Sequence, residues 1–248
     1  MKVAVASYSF HGLLKNGVID IFGYLESCKY RYQLGTADIW NGMLPTWETD
    51  YLRKVKAALE ERELTLENLC VDGPHLWEDD PEVRGEHHRQ ALEVLKAAQL
   101  LEARTLRIDA GGRGETWTDE QFDTIVSFYR EYAQWADDHG FKVGPENHWG
   151  TEAVPENMLR LCQAVDHPGF GVLLHFRGTP GDRLFAPWAM HTHISWDIVT
   201  QHLEGSLSML RDTGYMGCWS VEHHSGEHEY SEVAIQLAHV RDLLSRWE

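Results

Sequence analysis

Short apolar runs alternate along the whole chain with longer stretches whose apolar residues recur at every third or fourth position. The short runs predict strands over Lys2–Ser7, Tyr32–Ile39, Thr65–Val71, Thr105–Asp109, Lys142–Asn147, Gly171–His175, His191–Ser195 and Cys218–Glu222. The intervening stretches, such as "TWETDYLRKVKAALEERE" and "EHHRQALEVLKAAQLLEA", carry the helical period. "TDEQFDTIVSFYREYAQWADDHG" opens on Thr118, a capping residue, and closes on Gly140. A last helix is expected from about Ser231 to Trp247, and the helix after the sixth strand, within "RLFAPWAM", is the shortest.

Eight strands alternating with helices, with no Pro/Gly/Ser-rich linker between them, predict one α/β domain over residues 1–248, a single (β/α)8 TIM barrel. A doubly wound open sheet is the competing arrangement. It would favour a glycine-rich dinucleotide loop after the first strand, and "SYSFHGLLKNG" is not one.

In a barrel, alternate strand residues face the axis and the C-terminal strand ends hold the chemistry. Val143 and Pro145 then face the helices and Glu146 turns inward; Val172 and Leu174 pack outward and His175 turns inward. His191 and His193 share the inward face of the seventh strand. On the eighth, Trp219 and Val221 go outward, while Cys218, Ser220 and Glu222 go inward. Taken singly, His175 and Glu146 read as hydrogen-bonded rim residues and His191 as a second-layer residue. Together, strands five to eight deliver Glu146, His175, His193 and Glu222 to one end. All four side chains are good ligands for a divalent ion, which would offset the cost of burying two carboxylates there.

Composition narrows the partners. A formal net charge of −17 with a pI near 5.2 argues against a nucleic-acid backbone. No segment approaches the roughly 20 apolar residues of a membrane span. The opening "MKVAVASYSFHG" reads as a strand and not as a signal peptide, so a cytoplasmic protein is expected. Cys28, Cys70, Cys162 and Cys218 form no CxxC pair and read as buried free thiols. Ten tryptophans, among them Trp40, Trp77, Trp149 and Trp196 in loops, offer faces for a sugar, although barrel packing accounts for most of them.

"SYSFHG", "VDGPHLWED", "LRIDAGG", "PENHWGTEAVPENMLRLCQAVDHPGFGVLL", "HTHISWD" and "WSVEHH" together resemble the sugar phosphate isomerase/epimerase family of xylose-isomerase-like barrels. The resemblance runs over essentially the whole chain, and "ENH" followed by "PENMLRL" is its most specific part. It implies one divalent ion, often manganese, held by Glu, Asp, His and Glu at the ends of strands five to eight. Glu146, His193 and Glu222 match three of those positions. His175 stands where the family usually has aspartate, and its nitrogen tilts preference from magnesium toward manganese, zinc, iron or cobalt.

The resemblance further implies a sugar isomerase or epimerase that removes a proton beside a carbonyl and passes through an enediolate, with Glu146 and Glu222 as the acid/base pair. His148 is a further candidate base, as is His224. His75, Asp109, Trp149 and Arg177 are candidate substrate contacts. The absence of a phosphate-cradling glycine loop favours a non-phosphorylated sugar or polyol, and barrels of this group often form homodimers. Three alternatives stay open: a metal-dependent lyase or C-glycoside-cleaving enzyme of the superfamily, its three-zinc endonuclease branch, and a non-catalytic barrel that binds a sugar or a partner. The endonuclease branch needs a histidine at the end of strand four, where this chain has Asp109, and the acidic charge opposes it.

Overall fold

The computed structural model describes residues 1–247. Eight strands follow one another: β1 (Val3–Val5), β2 (Thr36–Trp40), β3 (Thr65–Val71), β4 (Thr105–Ile108), β5 (Lys142–Gly144), β6 (Val172–His175), β7 (Ala189–Ile194) and β8 (Trp219–Val221). They pair in parallel as two runs, β1-β8-β7-β6 and β2-β3-β4-β5. Single parallel bridges join the runs: Ala6 to Asp38 on one side, and Val143 to Phe170 and Glu146 to Leu173 on the other. The strands thus close into a parallel (β/α)8 barrel, as the alternation predicts.

Helices α1 (His11–Lys15), α2 (Ile21–Glu26), α3 (Thr49–Glu61), α4 (Pro81–Leu100) and α5 (Asp119–Asp138) belong to the first half. The second half adds α6 (Pro155–Val165), α7 (Asp182–Phe185), α8 (Leu203–Arg211) and α9 (Glu229–Ser245). Local sequence fixes their ends. Thr118 Oγ1 accepts from the Gln121 backbone N–H at 3.3 Å and Gln121 Oε1 accepts from the Thr118 N–H at 2.8 Å, a reciprocal cap on α5. Asp80 caps α4, which opens on Pro81. Phe122, Ile125, Val126, Tyr129, Tyr132, Ala133 and Ala136 form the buried stripe by which α5 packs on the barrel.

Several boundaries differ from the sequence reading. β2 begins at Thr36 and not at Tyr32, because Gln33 takes a left-handed conformation (φ 54°) that breaks the extended run; Tyr32 and Leu34 are buried ahead of the strand. β5 stops at Gly144, ahead of Pro145, which has no N–H to give a ladder. Gly144 lies where a Cβ would come within 1.7 Å of the Gly171 carbonyl oxygen, so the β5–β6 seam closes only with glycine there. β7 begins two residues early, at Ala189, and α9 begins at Glu229. The Glu229 carboxylate accepts from the backbone N–H groups of Gly12 and Leu13 at 2.7 and 2.8 Å, tying the last helix to the first. The short unit after β6 is α7 with a single 3-10 turn, Ala186–Trp188. All four cysteines are free and buried.

Candidate metal centre and its surroundings

Four side chains at or just beyond the ends of four consecutive strands, β5 to β8, converge at the C-terminal mouth. His193 Nδ1 lies 3.0 Å from Glu146 Oε1 and 3.4 Å from Glu222 Oε1. His175 Nδ1 lies 3.1 Å from the same Glu146 oxygen and 3.4 Å from Glu222 Oε2. One ligand atom from each residue falls within 4.8 Å of all the others. Glu146 and Glu222 are only 2% and 7% exposed. Two buried carboxylates this close to two imidazole nitrogens make a donor set suited to a divalent ion, and the residues fit one. Histidine at the strand-six position turns its nitrogen into the cluster where the family pattern has a carboxylate.

Behind the cluster stands a second layer that the sequence reading did not single out. His193 Nε2 lies 3.1 Å from Asp38 Oδ2, and the same oxygen is 2.9 Å from His191 Nε2 and accepts from Ser220 Oγ at 2.7 Å. Asn68 Nδ2 donates to the other oxygen at 2.9 Å. Asp38, His191 and His193 are themselves close enough to suggest a metal set. However, the Asp38 oxygen that faces both rings already takes three hydrogen bonds, which leaves it no free lone pair. Asp38 therefore acts as a holder of rings. Burial pushes its carboxyl up, but His191 and His193 outweigh burial and hold it far below the usual range.

Arg107, buried in β4, is the cation the sequence reading missed. Its Nη1 lies 2.8 Å from Asp109 Oδ2 and 2.8 Å from Asp72 Oδ1, and it donates to the Val71 carbonyl at 2.9 Å. Its Nε sits 3.2 Å from Glu146 Oε2, in ion-pair range but without hydrogen-bond alignment. Burial also pushes the Glu146 carboxyl up, yet the charges of His148 and His193 and the hydrogen bonds from His175 and His193 hold it well below its ordinary value. Asp38 and Arg107 share one signal in the sequence: each is a charge inside an apolar strand run, in "TADIW" and "TLRI".

Glu146, His175 and Glu222 floor a cavity of about 280 Å³ walled by Tyr8, Trp40, Asp72, His148 and His224, while His193 is buried. His148 lines this cavity, and its buried Nδ1 stands 3.5 Å from Glu146 Oε2 with no hydrogen-bond partner. His224 Nε2 lies 2.9 Å from Glu222 Oε2, and its ring stacks 5.8 Å from that of His175. The expected substrate contacts divide. Asp109 is buried beneath the mouth, where its Oδ2 receives Trp149 Nε1 at 3.0 Å as well as Arg107. Trp149 and His75, ring centroids 5.0 Å apart, line a neighbouring cavity of about 190 Å³. Arg177, expected to meet a substrate anion, gives Nε to the Asn147 carbonyl at 3.1 Å and Nη2 to the His148 carbonyl. It braces the loop after β5 and does not line the main cavity.

Glu152 is a second buried acid near Asp109. Its Oε1 accepts from the Ala110 N–H at 2.7 Å, while its Oε2 and Asp109 Oδ1 both lack partners. Burial, then the charge of Asp109, raise the Glu152 carboxyl well above its ordinary value. A protonated carboxyl carries the O–H donor that an ionised one lacks.

No curated protein sequence matches the chain. Several solved structures share its fold. The IOLI protein with a bound zinc atom superposes with a TM-score of 0.79 at 14% identity, over 100% of this chain and 99% of that one. D-psicose 3-epimerase from Clostridium cellulolyticum H10, solved with D-tagatose, gives 0.77 at 17% over 98% and 99%. The 3-keto-D-glucoside 4-epimerase YcjR of E. coli gives 0.76 at 16% over 98% and 99%. At these identities the likeness is one of fold. The sequence of residues 32–243 itself matches the xylose isomerase-like TIM barrel model, and the chain belongs to that family.

Proposed function

We propose that the protein is a divalent-metal-dependent sugar isomerase or epimerase, and that Glu146, His175, His193 and Glu222 hold its ion. The observation that carries this reading is the convergence of those four donors within 4.8 Å, three of them on the floor of an open cavity. The epimerases of similar fold add support. Two imidazoles in the set favour manganese, with zinc, iron or cobalt as its competitors, over magnesium. When bound, such an ion supplies a Lewis acid for the oxygens of the substrate.

The chain's own residues do the rest. Glu146 and Glu222, from strand ends on either side of the two imidazoles, take a proton from the carbon beside the carbonyl and return it. The electron pair left behind passes into an enediolate. General acid–base work of this kind contributes typically 10²–10⁴-fold. His148, whose unpartnered Nδ1 lies 3.5 Å from Glu146, moves the proton onward to the cavity. His224 keeps Glu222 oriented through its 2.9 Å contact. Tyr8 and Trp40 wall the same space with aromatic faces suited to the C–H side of a sugar. With Arg177 engaged by backbone carbonyls, a ketose or aldose without phosphate is the favoured substrate.

The test is deuterium uptake from solvent into a panel of ketoses by metal-loaded protein. Exchange is expected with at least one ketose and should fall by about 10²–10⁴-fold in Glu146→Gln and Glu222→Gln. Near-normal exchange in Glu222→Gln, or none with any ketose, overturns the reading.

A further inference from the structure

A second group of donors lies outside this site. The chain leaves β3 at Val71, turns at Gly73 (φ 121°) and carries His75 and Glu78 to the rim before α4 begins; His87 projects from α4. His75 Nδ1 is 3.0 Å from Glu78 Oε1, and His87 Nδ1 is 3.8 Å from the same oxygen. The rings meet edge-on with centroids 5.9 Å apart. One ligand atom from each of the three falls within 4.8 Å of the others. We propose that His75, Glu78 and His87 form a second divalent-metal site, of zinc type, at the rim of the barrel.

The spacing suits such an ion. Donors about 2.0–2.1 Å from a tetrahedral zinc stand roughly 3.3 Å apart, between the two separations seen. Two imidazoles and one carboxylate leave a fourth position open to water or ligand. That position has room, because His75 and Glu78 line the 190 Å³ cavity beside Trp149.

Other partners for the donors are weak. Among the described residues no lysine or arginine pairs with the Glu78 carboxylate; Arg84 reaches only the Glu78 backbone carbonyl, at 3.2 Å, and stacks its guanidinium on Trp77. His87 Nδ1 has one hydrogen-bond partner, the His75 carbonyl, at a long 3.3 Å. That bond needs the proton on Nδ1; moving it to Nε2 costs only this long contact and turns an Nδ1 lone pair toward the Glu78 carboxylate, where a cation would reconcile the two. All three side chains are half-buried, so an ion can enter from solvent without rearranging the core.

The inference stands apart from the proposed reaction, and its test separates the two. Protein stripped with a chelator is reloaded with Co²⁺, and bound cobalt is counted by elemental analysis and followed by its visible absorption. Wild type is expected to hold one equivalent more than either His87→Gln or Glu78→Gln, with far-UV circular dichroism unchanged in both. Equal uptake by wild type and folded Glu78→Gln, whose side chain is partly exposed, overturns the site. So does equal uptake by wild type and folded His87→Gln. Loss of an equivalent in Glu222→Gln reports on the central cluster alone.

Discussion

His193 joins two layers with one ring: Nδ1 faces Glu146 at 3.0 Å, and Nε2 faces Asp38 at 3.1 Å. A carboxylate behind a ligating imidazole fixes its tautomer and orientation and raises its basicity. Asp38→Asn keeps the shape but removes the charge, and its NH2 must face either the two rings and Ser220 or the Asn68 amide, all of which need an acceptor. Divalent-ion affinity is expected to fall about 10–100-fold, read by calorimetric titration of stripped protein with Mn²⁺ or Zn²⁺. Unchanged affinity would show that His193 does not depend on Asp38 for its ligand role.

His175 is where the chain departs from the family pattern, and its nitrogen nonetheless points into the cluster. His175→Asp replaces a borderline donor with a hard one, so the central cluster should keep its ion while zinc loses ground to harder ions such as manganese and magnesium. Competition between Zn²⁺ and Mn²⁺, followed by metal analysis, reads the shift directly. His175→Ala should lower occupancy. Full occupancy in His175→Ala would remove the residue from the ligand set.

The four central donors were legible because two periodicities coincide. Strand alternation says which residues face the axis, and the barrel says which end matters, so Glu146, His175, His193 and Glu222 could be placed before any coordinate was known. Asp38 and Arg107 were not placed, although each is conspicuous as a charge in an apolar run. Their partners lie far away in sequence, Asp38 and His191 being 153 positions apart, and no local rule pairs them. The rim group fails for a different reason: His87 reads as a polar position on a helix until the loop from β3 folds back against it. For Arg177 and the start of β2, residue type did not show that Arg177 gives N–H groups to two backbone carbonyls, or that a left-handed Gln33 delays the strand to Thr36.

Arg107 should be costly to replace. It is 3% exposed, and it pairs with Asp109, itself 3% exposed, while sitting beside Glu146. Arg107→Met leaves those carboxylates without their nearest fixed cation. Removing one partner of a buried ion pair typically costs about 3–5 kcal/mol. Urea denaturation of metal-free protein should show a loss of this size, partly recovered when Asp109 is changed to Asn in the same chain. A loss below about 1 kcal/mol, on the scale of an exposed pair, would mean that solvent screens the pair more than its burial implies.

Thiol chemistry should be silent in the folded state. Burial pushes the Cys28 thiol up to about 12 and raises those of Cys70, Cys162 and Cys218 as well. The thiolate is the reactive form, so none of the four is expected to react with a disulfide reagent at pH 8 until the protein unfolds, when all four should. Cys70 is the sharpest case. Its sulfur lies 2.7 Å from Arg107 Nη2, which favours a thiolate, but burial dominates. Fast labelling of Cys70 alone would show that the cation prevails.

Glu152 makes stability depend on pH in a direction opposite to that of a paired carboxylate. Its carboxyl is raised in the folded protein by burial and by Asp109, whereas in the unfolded chain it titrates near 4.5. Below that value both states carry the proton, and Glu152 costs nothing. As pH rises, the unfolded state releases its proton first while the folded state keeps it, so the contribution to stability is lost progressively above pH 4.5 toward the raised folded value. A retained proton also turns the unpartnered Glu152 Oε2 from an acceptor into a donor and removes its repulsion with Asp109. Glu152→Gln mimics that protonated form at every pH, with an N–H in place of the O–H. Relative to wild type it should be nearly neutral at pH 4 and more stable at pH 8, by on the order of 1–3 kcal/mol. Urea melts at the two pH values measure the difference, and parallel pH profiles for the two proteins would mean that Glu152 is ionised in the fold.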